Sequence, residues 1–136
     1  MNKKYEFTGD TKEIFFLKKI TVRRIKATDD FGAVKAGDLG GWIEKEENLS
    51  RKGDAWIYED ARVYENAKVC GNARIYGSAR IYGNAKVYGN AQVGENAKVC
   101  GNAQVGENAQ VGENARVCGN AKVYENARIY GSALIY

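Results

Sequence analysis

The sequence ARIYGS at residues 73–78 is one of a long series of six-residue units. Alanine recurs every six residues, fourteen times from Ala55 to Ala133, and each alanine is followed two residues later by Val or Ile. Because side chains alternate across a strand, the Ala and the β-branched residue point inward, while the two residues flanking the latter point outward. A six-residue period of this length predicts a parallel β-helix.

The complete units end in a Gly or Glu followed by an Asn or Ser, except the first, which ends in Glu59-Asp60. This pair suits a corner, because Gly and Asn adopt positive φ at low cost. Three corners close a triangular coil, so residues 55–136 predict an all-β fold of about 4.5 regular coils. The coils are expected to stack about 4.8 Å apart, the spacing of neighbouring strands.

The phrases VGENAK at 93–98 and VGENAQ at 105–110 resemble the hexapeptide-repeat family. The resemblance covers about sixty per cent of the chain. It implies a left-handed parallel β-helix that assembles as a trimer, and both the hand and the trimer come from the resemblance alone. Function does not follow from it, since one fold hosts many activities.

Residues 1–54 are predicted to form an N-terminal hairpin and capping segment ahead of the β-helix at 55–136. Aromatic and β-branched residues in 5–8 and 15–27 favour a hairpin with its turn at Gly9-Asp10. Gly41-Trp42-Ile43 echoes Ala55-Trp56-Ile57 off the six-residue grid and predicts a first, irregular coil. A β-helix end exposes unpaired strand edges, so we expect this segment to cap it. The basic residues between 18 and 26 are expected to be a solvated face, with anion contact as the alternative.

The net charge is +4 and the charges are mixed along the chain, which does not favour a binder of long nucleic acids. No stretch approaches eighteen apolar residues, and no apolar run of a secretion signal follows the first residues. A single small cytoplasmic protein without a membrane partner is therefore expected.

Three cysteines, Cys70, Cys100 and Cys118, take the outward position that Tyr fills in other units. Cys100 and Cys118 are eighteen residues apart, so they stack on adjacent coils within possible bridging distance. The favoured expectation is nevertheless free thiols on a contact face in a reducing compartment. Neither a zinc site nor a disulfide framework is expected.

The chain contains no histidine. Hexapeptide-repeat acyltransferases use a histidine as general base, and γ-type carbonic anhydrases of this fold bind their metal through histidines. The sequence therefore predicts a protein that is not an enzyme and has no metal or cofactor. The corner glutamates Glu95, Glu107, Glu113 and Glu125 are expected to be solvated charges.

Residues eighteen apart stack into outward columns. One column holds Arg62, Arg80, Lys98 and Arg116, and the glycines Gly94, Gly106 and Gly112 replace tyrosines in the middle coils. A shallow, neutral waist between aromatic side chains is expected, suited to clamping a partner or a flat ligand. The alternative is that the tyrosine ladders only stabilise the parallel strands.

These features predict a non-catalytic homotrimer, or a multiple of trimers, that holds a small anionic, nucleotide-like ligand in grooves between subunits. Residues 37–43 and 47–50 resemble the lead-in of uncharacterised hexapeptide-repeat proteins of bacteria and their phages. With that resemblance, one concrete version is a phage-encoded sponge that sequesters a nucleotide second messenger of antiviral defence. The predicted ligand-binding residues are Arg62, Tyr64, Arg74, Tyr76, Arg80, Tyr82, Lys98 and Arg116.

Two other functions remain open at this point. The first is a structural or protein-interaction scaffold of a prophage or virion, and the second is an acyltransferase-like enzyme. The chain stops within a coil at residues 133–136, where the apolar Leu134 takes a position usually held by a polar residue. We expect these residues to be covered by neighbouring protomers or by end-to-end stacking of trimers.

Overall fold

A computed structural model of the chain describes residues 4–16 and 18–136. Residues 1–3 and Leu17 lie outside the described part. The expectation about a secretion signal concerns the first residues of the sequence, so it falls partly outside the described part as well. The described residues contain strands and one 3-10 turn, Glu46–Asn48, and no α-helix. The described residues thus contain no candidate for a membrane-spanning helix.

The chain begins with an antiparallel hairpin. Strand β1 (Tyr5–Phe16) pairs with β2 (Lys18–Ala27), from Tyr5 opposite Ala27 to Phe16 opposite Lys18. The predicted turn at Gly9-Asp10 is therefore wrong. These residues lie inside β1, where the register shifts between Phe7 and Thr11 and Gly9 has a φ of 102°. A glycine with positive φ serves a β-bulge as well as a turn.

The next strand, β3 (Leu39–Ile43), joins the hairpin to the repeats. One edge of β3 pairs antiparallel with β2, and the other pairs parallel with the repeat strand Arg62–Val63, with Trp42 opposite Arg62 and Ile43 opposite Val63. Residues 41–43 thus begin a first coil, as predicted. It is irregular, because twenty residues rather than eighteen separate the paired positions.

The repeats supply fourteen strands of two residues each, and each contains the outward residue and the inward Val or Ile of its unit. They are β4 (Trp56–Ile57), β5 (Arg62–Val63), β6 (Lys68–Val69), β7 (Arg74–Ile75), β8 (Arg80–Ile81), β9 (Lys86–Val87), β10 (Gln92–Val93), β11 (Lys98–Val99), β12 (Gln104–Val105), β13 (Gln110–Val111), β14 (Arg116–Val117), β15 (Lys122–Val123), β16 (Arg128–Ile129) and β17 (Leu134–Ile135).

These strands stack in parallel into three sheets, one of which also contains the antiparallel hairpin strands. The eight-stranded sheet has the order β1-β2-β3-β5-β8-β11-β14-β17, the five-stranded sheet β16-β13-β10-β7-β4, and the four-stranded sheet β15-β12-β9-β6. Five coils result, the first of them irregular, and β17 starts another. The predicted all-β parallel β-helix is confirmed, whereas its left hand stays an expectation from the resemblance.

The core is a narrow prism of Ala, Val and Ile. Each inward residue of the repeats from Ala55 to Val117 is at most 1% exposed. Burying a Val or Ile side chain stabilises the fold by about 1.5–3 kcal/mol, and each unit of the repeat adds one such buried side chain. The hairpin adds Tyr5, Ile25 and Ala27 to the same core, next to Trp56.

The corners differ from the expectation in one respect. Positive φ falls on the Gly or Glu, as in Gly77 (64°) and Glu95 (57°), and not on the following Asn. The Asn side chains instead form ladders between coils, with Asn72 Nδ2 donating to Asn90 Oδ1 and Asn90 Nδ2 donating to Asn108 Oδ1. The corners therefore turn the chain and also link successive coils through side-chain hydrogen bonds along the axis of the β-helix.

Some corner glutamates accept backbone hydrogen bonds. The Oε1 atom of Glu95 accepts the backbone N–H of Glu113, one coil further on, at 3.1 Å. Glu59 and Glu65 accept the N–H groups of Gly77 and Gly83 in the same way. Glu95 is exposed, as expected of a solvated charge, and it also accepts a hydrogen bond from the amide stacked above it.

Cys100 and Cys118 form a disulfide, with their Cα atoms 4.6 Å apart, while Cys70 is a free thiol. The favoured expectation of free thiols is therefore wrong for this pair. Paired positions on adjacent parallel strands point their side chains the same way, and their Cα separation lies within the range that a disulfide spans.

Candidate anion-binding surface

Four cations form a column on the outer face of the eight-stranded sheet. Arg62 pairs with Arg80, Arg80 with Lys98, and Lys98 with Arg116, each one coil apart. We call these four residues the cation column. The disulfide on the same face gives the step between coils as 4.6 Å. The β-helix therefore places four positive side chains in register at close spacing.

No carboxylate compensates the cation column in the described part of the chain. The ion pairs found there are Lys19–Glu13, Lys26–Glu6 and Arg51–Glu46, all within the first fifty-one residues. Within residues 4–16 and 18–136, the side chains of the column also form no hydrogen bond to another protein group. The corner glutamates that might have paired with them are occupied in part by backbone amides, as Glu65 is by Gly83.

The column repels its own charges. Burial, followed by the neighbouring Arg116 and Arg80, lowers the pKa of Lys98. Like charges on neighbouring coils repel one another, and salt screens this repulsion only in part where the groups are partly buried. A bound anion would remove this repulsion, which makes the column a candidate anion site.

Aromatic side chains flank the column at one end. The rings of Tyr64 and Tyr82 stack with their centroids 5.2 Å apart and their planes at 4°. Tyr64 is 1% exposed beneath the hairpin, in a cluster with Val22 and Trp42, and burial raises its pKa to about 12. Tyr82 is half-buried and packs against this cluster at the edge of the column, whereas Tyr64 packs beneath the hairpin.

The other two predicted residues lie on a different face. Arg74 belongs to β7 of the five-stranded sheet, and Tyr76 follows it directly, while Arg80 belongs to β8 of the eight-stranded sheet. One corner of the prism separates the two groups. The structure thus brings Arg62, Arg80, Lys98 and Arg116 together, with Tyr82 beside them, and places Arg74 with Tyr76 elsewhere.

The predicted shallow waist is filled with tyrosine rings, so that prediction is wrong. A methyl group added at Gly94 would lie 2.0 Å from the ring of Tyr76, and one at Gly106 would lie 2.2 Å from the ring of Tyr88. Because glycine has no side chain, the ring of the tyrosine one coil away can pack directly on the backbone at these positions. The ring of Tyr130 packs against Gly112 from the opposite side, at 2.8 Å by the same measure.

A cleft of about 510 Å³ lies beside Arg74 on the five-stranded sheet. Its lining adds Tyr58, Glu59 and Gln92 to the predicted Arg74 and Tyr76. Sequence reasoning missed Tyr58 and Gln92 as site residues, although both lie in the outward columns that contain Tyr76 and Arg74. Among the residues that the structure describes, no cluster of three or more Cys, Asp or Glu side chains could hold a metal ion.

The fold and the repeat define the chain as a β-solenoid protein built from hexapeptide repeats. The family model of the YdcK β-solenoid repeat matches residues 67–80 and 79–95. A 42-residue stretch is 45% identical to a protein of Escherichia coli (strain K12) that is named "Uncharacterized acetyltransferase YdcK". The match covers 31% of this chain and 13% of that protein, so the similarity concerns the repeats.

Proposed function

We propose that this β-solenoid is a non-catalytic trimer that binds a small anionic, nucleotide-like ligand at the cation column, in grooves between subunits. The observation that carries the proposal is the set of four in-register cations that form no ion pair with a carboxylate of residues 4–16 and 18–136. Guanidinium groups offer paired donors to phosphate, and a charge-assisted hydrogen bond contributes roughly 1.5–3 kcal/mol. Tyr82, half-buried beside Arg80, provides an aromatic surface for a base.

The dimensions of the column favour a small ligand. From Arg62 to Arg116 it spans three steps of 4.6 Å, about 14 Å in all. A long nucleic acid would call for a basic surface that continues beyond this length. A nucleotide or cyclic oligonucleotide with two or three phosphates matches a short row of closely spaced cations.

The finer form of the proposal is a phage-encoded sponge that acts in the cytoplasm of a bacterial host and sequesters a nucleotide second messenger. It is supported by the resemblance of residues 37–43 to phage and bacterial repeat proteins and by the chemistry of the column. The trimer is supported by the hexapeptide-repeat resemblance.

Native mass spectrometry of protein purified from a bacterial lysate tests the proposal. The expected spectrum shows a trimer with an additional mass of nucleotide size, and this mass is lost in a double variant, Arg80→Gln with Lys98→Gln. The exposed Lys122→Gln on the four-stranded sheet is the matched control and should retain the mass. A trimer or monomer without added mass, from cells that contain the candidate nucleotides, would contradict the proposal.

A second candidate is an acetyltransferase, because the 42-residue match is to a protein of that name. Acetyl transfer by the usual route needs a general base near neutral pH, and the printed sequence has no histidine. An acetyl donor that contains a nucleotide would also suit the cation column, so binding does not separate the two functions. Turnover of acetyl-CoA, abolished by one point mutation, would favour the enzyme.

A third candidate is a protein scaffold, and one observation favours it. The tyrosines mostly pack on their own chain, as in the Tyr64–Tyr82 stack and the Tyr76 ring over Gly94. A scaffold requires no free cations, however, so it leaves the cation column without a role. Variants of the column that change neither ligand content nor assembly would support the scaffold.

A further inference from the structure

The structure assigns a second ligand site to the five-stranded sheet: the cleft between Tyr58 and Tyr76 takes the planar ring of a nucleotide, and Arg74 binds its phosphate. We call it the Arg74 cleft, lined by Tyr58, Glu59, Arg74, Tyr76 and Gln92. It takes its class of ligand from the proposed function but is formed within one protomer. It therefore does not depend on the trimer or on the cation column.

Gly94 opens the Arg74 cleft. The ring of Tyr76 leans over Gly94, in the space that a side chain would fill at that position. The corresponding position on the eight-stranded sheet, one coil after Tyr82, is Cys100 and not a glycine. There the rings of Tyr64 and Tyr82 stack with their centroids 5.2 Å apart. Tyr58 and Tyr76, one coil apart in the same column, form no such stack, and both line a cleft of about 510 Å³. The cleft is open to solvent, so a planar ring can enter it from the surface.

Arg74 supplies the charge. It is exposed, and in the described part of the chain no carboxylate lies close enough to form an ion pair with it. Glu59 lines the same cleft, but its Oε1 accepts the backbone N–H of Gly77 at 2.9 Å. The carboxylate is thus held at the corner, which leaves the guanidinium available to an anion.

A smaller, polar cleft of about 240 Å³ shares Tyr58 and Arg74 with the first. Asp54, Asn72 and Asn90 line it, and Asn72 Nδ2 donates a hydrogen bond to Asn90 Oδ1. Amide and carboxylate groups at this position suit the hydroxyl groups of a sugar. Two clefts that meet at one arginine therefore match a ligand with a ring, a sugar and an anionic group.

The chemistry favours a nucleoside phosphate over its parts. Inorganic phosphate would use Arg74 alone and leave both tyrosines without contact, and a nucleoside would leave the guanidinium unpaired. Stacking on tyrosine tolerates any base because every base has a π-face, so the site selects the class of ligand and not one base.

Binding of adenosine monophosphate to the whole chain tests the Arg74 cleft, by saturation-transfer NMR and by calorimetry at low salt. Wild-type protein should bind, Arg74→Gln should weaken binding at least tenfold, and Tyr58→Leu at least fivefold. Arg128→Gln, in the same column but outside the cleft, should stay within twofold of wild type. Adenosine and inorganic phosphate should each bind at least tenfold more weakly than the nucleotide.

Arg80→Gln separates this site from the cation column. Loss of binding in Arg74→Gln with Arg80→Gln unaffected supports the Arg74 cleft whether or not the column binds a ligand. If Arg80→Gln loses binding and Arg74→Gln does not, the proposal of a site at the Arg74 cleft is overturned, and the cation column remains the candidate site. If Tyr58→Leu unfolds, Gly94→Ala provides a second variant, since the added methyl should push the Tyr76 ring toward Tyr58 and weaken binding. No binding to wild type, or equal binding by Arg74→Gln and Arg128→Gln, also overturns it.

Discussion

The ring of Tyr76 covers Gly94 so closely that a methyl group on Gly94 would lie 2.0 Å from its Cε2 atom. Tyr88 covers Gly106 in the same manner on the four-stranded sheet. At these glycines of the middle coils, the missing side chain leaves space that a tyrosine ring of a neighbouring coil fills. The surface that results is tightly packed at the waist and open at Arg74.

Replacing Gly94 by alanine should destabilise the protein by about 1–3 kcal/mol, the usual cost of inserting a group into a packed site. Urea unfolding followed by circular dichroism measures the change. The same substitution in a Tyr76→Ala background should cost less than about 0.5 kcal/mol, because the ring that it meets is gone. An equal cost in both backgrounds would show that the ring contact is not the cause.

Loss of the disulfide should also destabilise the protein. Cys100→Ser with Cys118→Ser is expected to lower stability by about 3 kcal/mol under oxidising conditions, the value for a loop of roughly this length. With a dithiol reductant, the difference from wild type should disappear. Thiol titration of unfolded wild type without reductant should find Cys70 alone, and a count of three would contradict the disulfide.

The period of six was sufficient to predict the core, the coils and the parallel stacking, because it places Ala and Val or Ile on the inward face of every unit and brings residues eighteen apart into register. Trp42 was recognisable as a member of the first coil from its likeness to Trp56. Gly9 was misassigned because a glycine in a strand-like region marks a bulge or a turn, and only the pairing partners decide which.

The site was predicted in part. The spacing of eighteen placed Arg62, Arg80, Lys98 and Arg116 in one column, but it does not tell in which direction a ring leans. The packing of Tyr76 on Gly94, and with it the cleft at Arg74, needed the three-dimensional structure. The pairing of Cys100 with Cys118 was within reach of the spacing, and the assumption of a reducing compartment led away from it.

A pH dependence is expected from Lys4, which is 3% exposed and donates through Nζ to the carbonyl of Ser50 at 2.8 Å. Burial lowers its pKa from 10.5 to about 8, with Asp54 raising it and Arg51 lowering it further. Below about pH 8 the folded protein holds a buried charge. Between pH 8 and 10.5 the folded state loses the proton that the unfolded state keeps, so stability rises with pH.

The measurement compares urea unfolding of wild type and Lys4→Met from pH 7.5 to 9.5. Wild type should gain stability relative to the variant as pH rises, by no more than about 1.4 kcal/mol per unit. Lys52→Met, at an exposed lysine of the same region, should follow wild type. Parallel curves for wild type and Lys4→Met would refute the assignment to Lys4.

The trimer is tested by sedimentation equilibrium at micromolar concentration. The expected mass is about 45 kDa, three times the 15.0 kDa chain, or a multiple of that value. A species of 15 kDa under these conditions would contradict a groove between subunits. The Arg74 cleft lies within one chain and would be unaffected by that outcome.

The central claim, that the cation column binds a nucleotide-like anion, is tested most directly by calorimetry at low salt with a panel of cyclic dinucleotides, cyclic trinucleotides and cyclic ADP-ribose isomers. Wild type should bind at least one of them, and Arg80→Gln should weaken that binding at least tenfold, since a charge-assisted hydrogen bond is lost. Lys122→Gln, outside the column, should bind like wild type. No heat with any ligand of the panel, or equal binding by Arg80→Gln and Lys122→Gln, would contradict the claim.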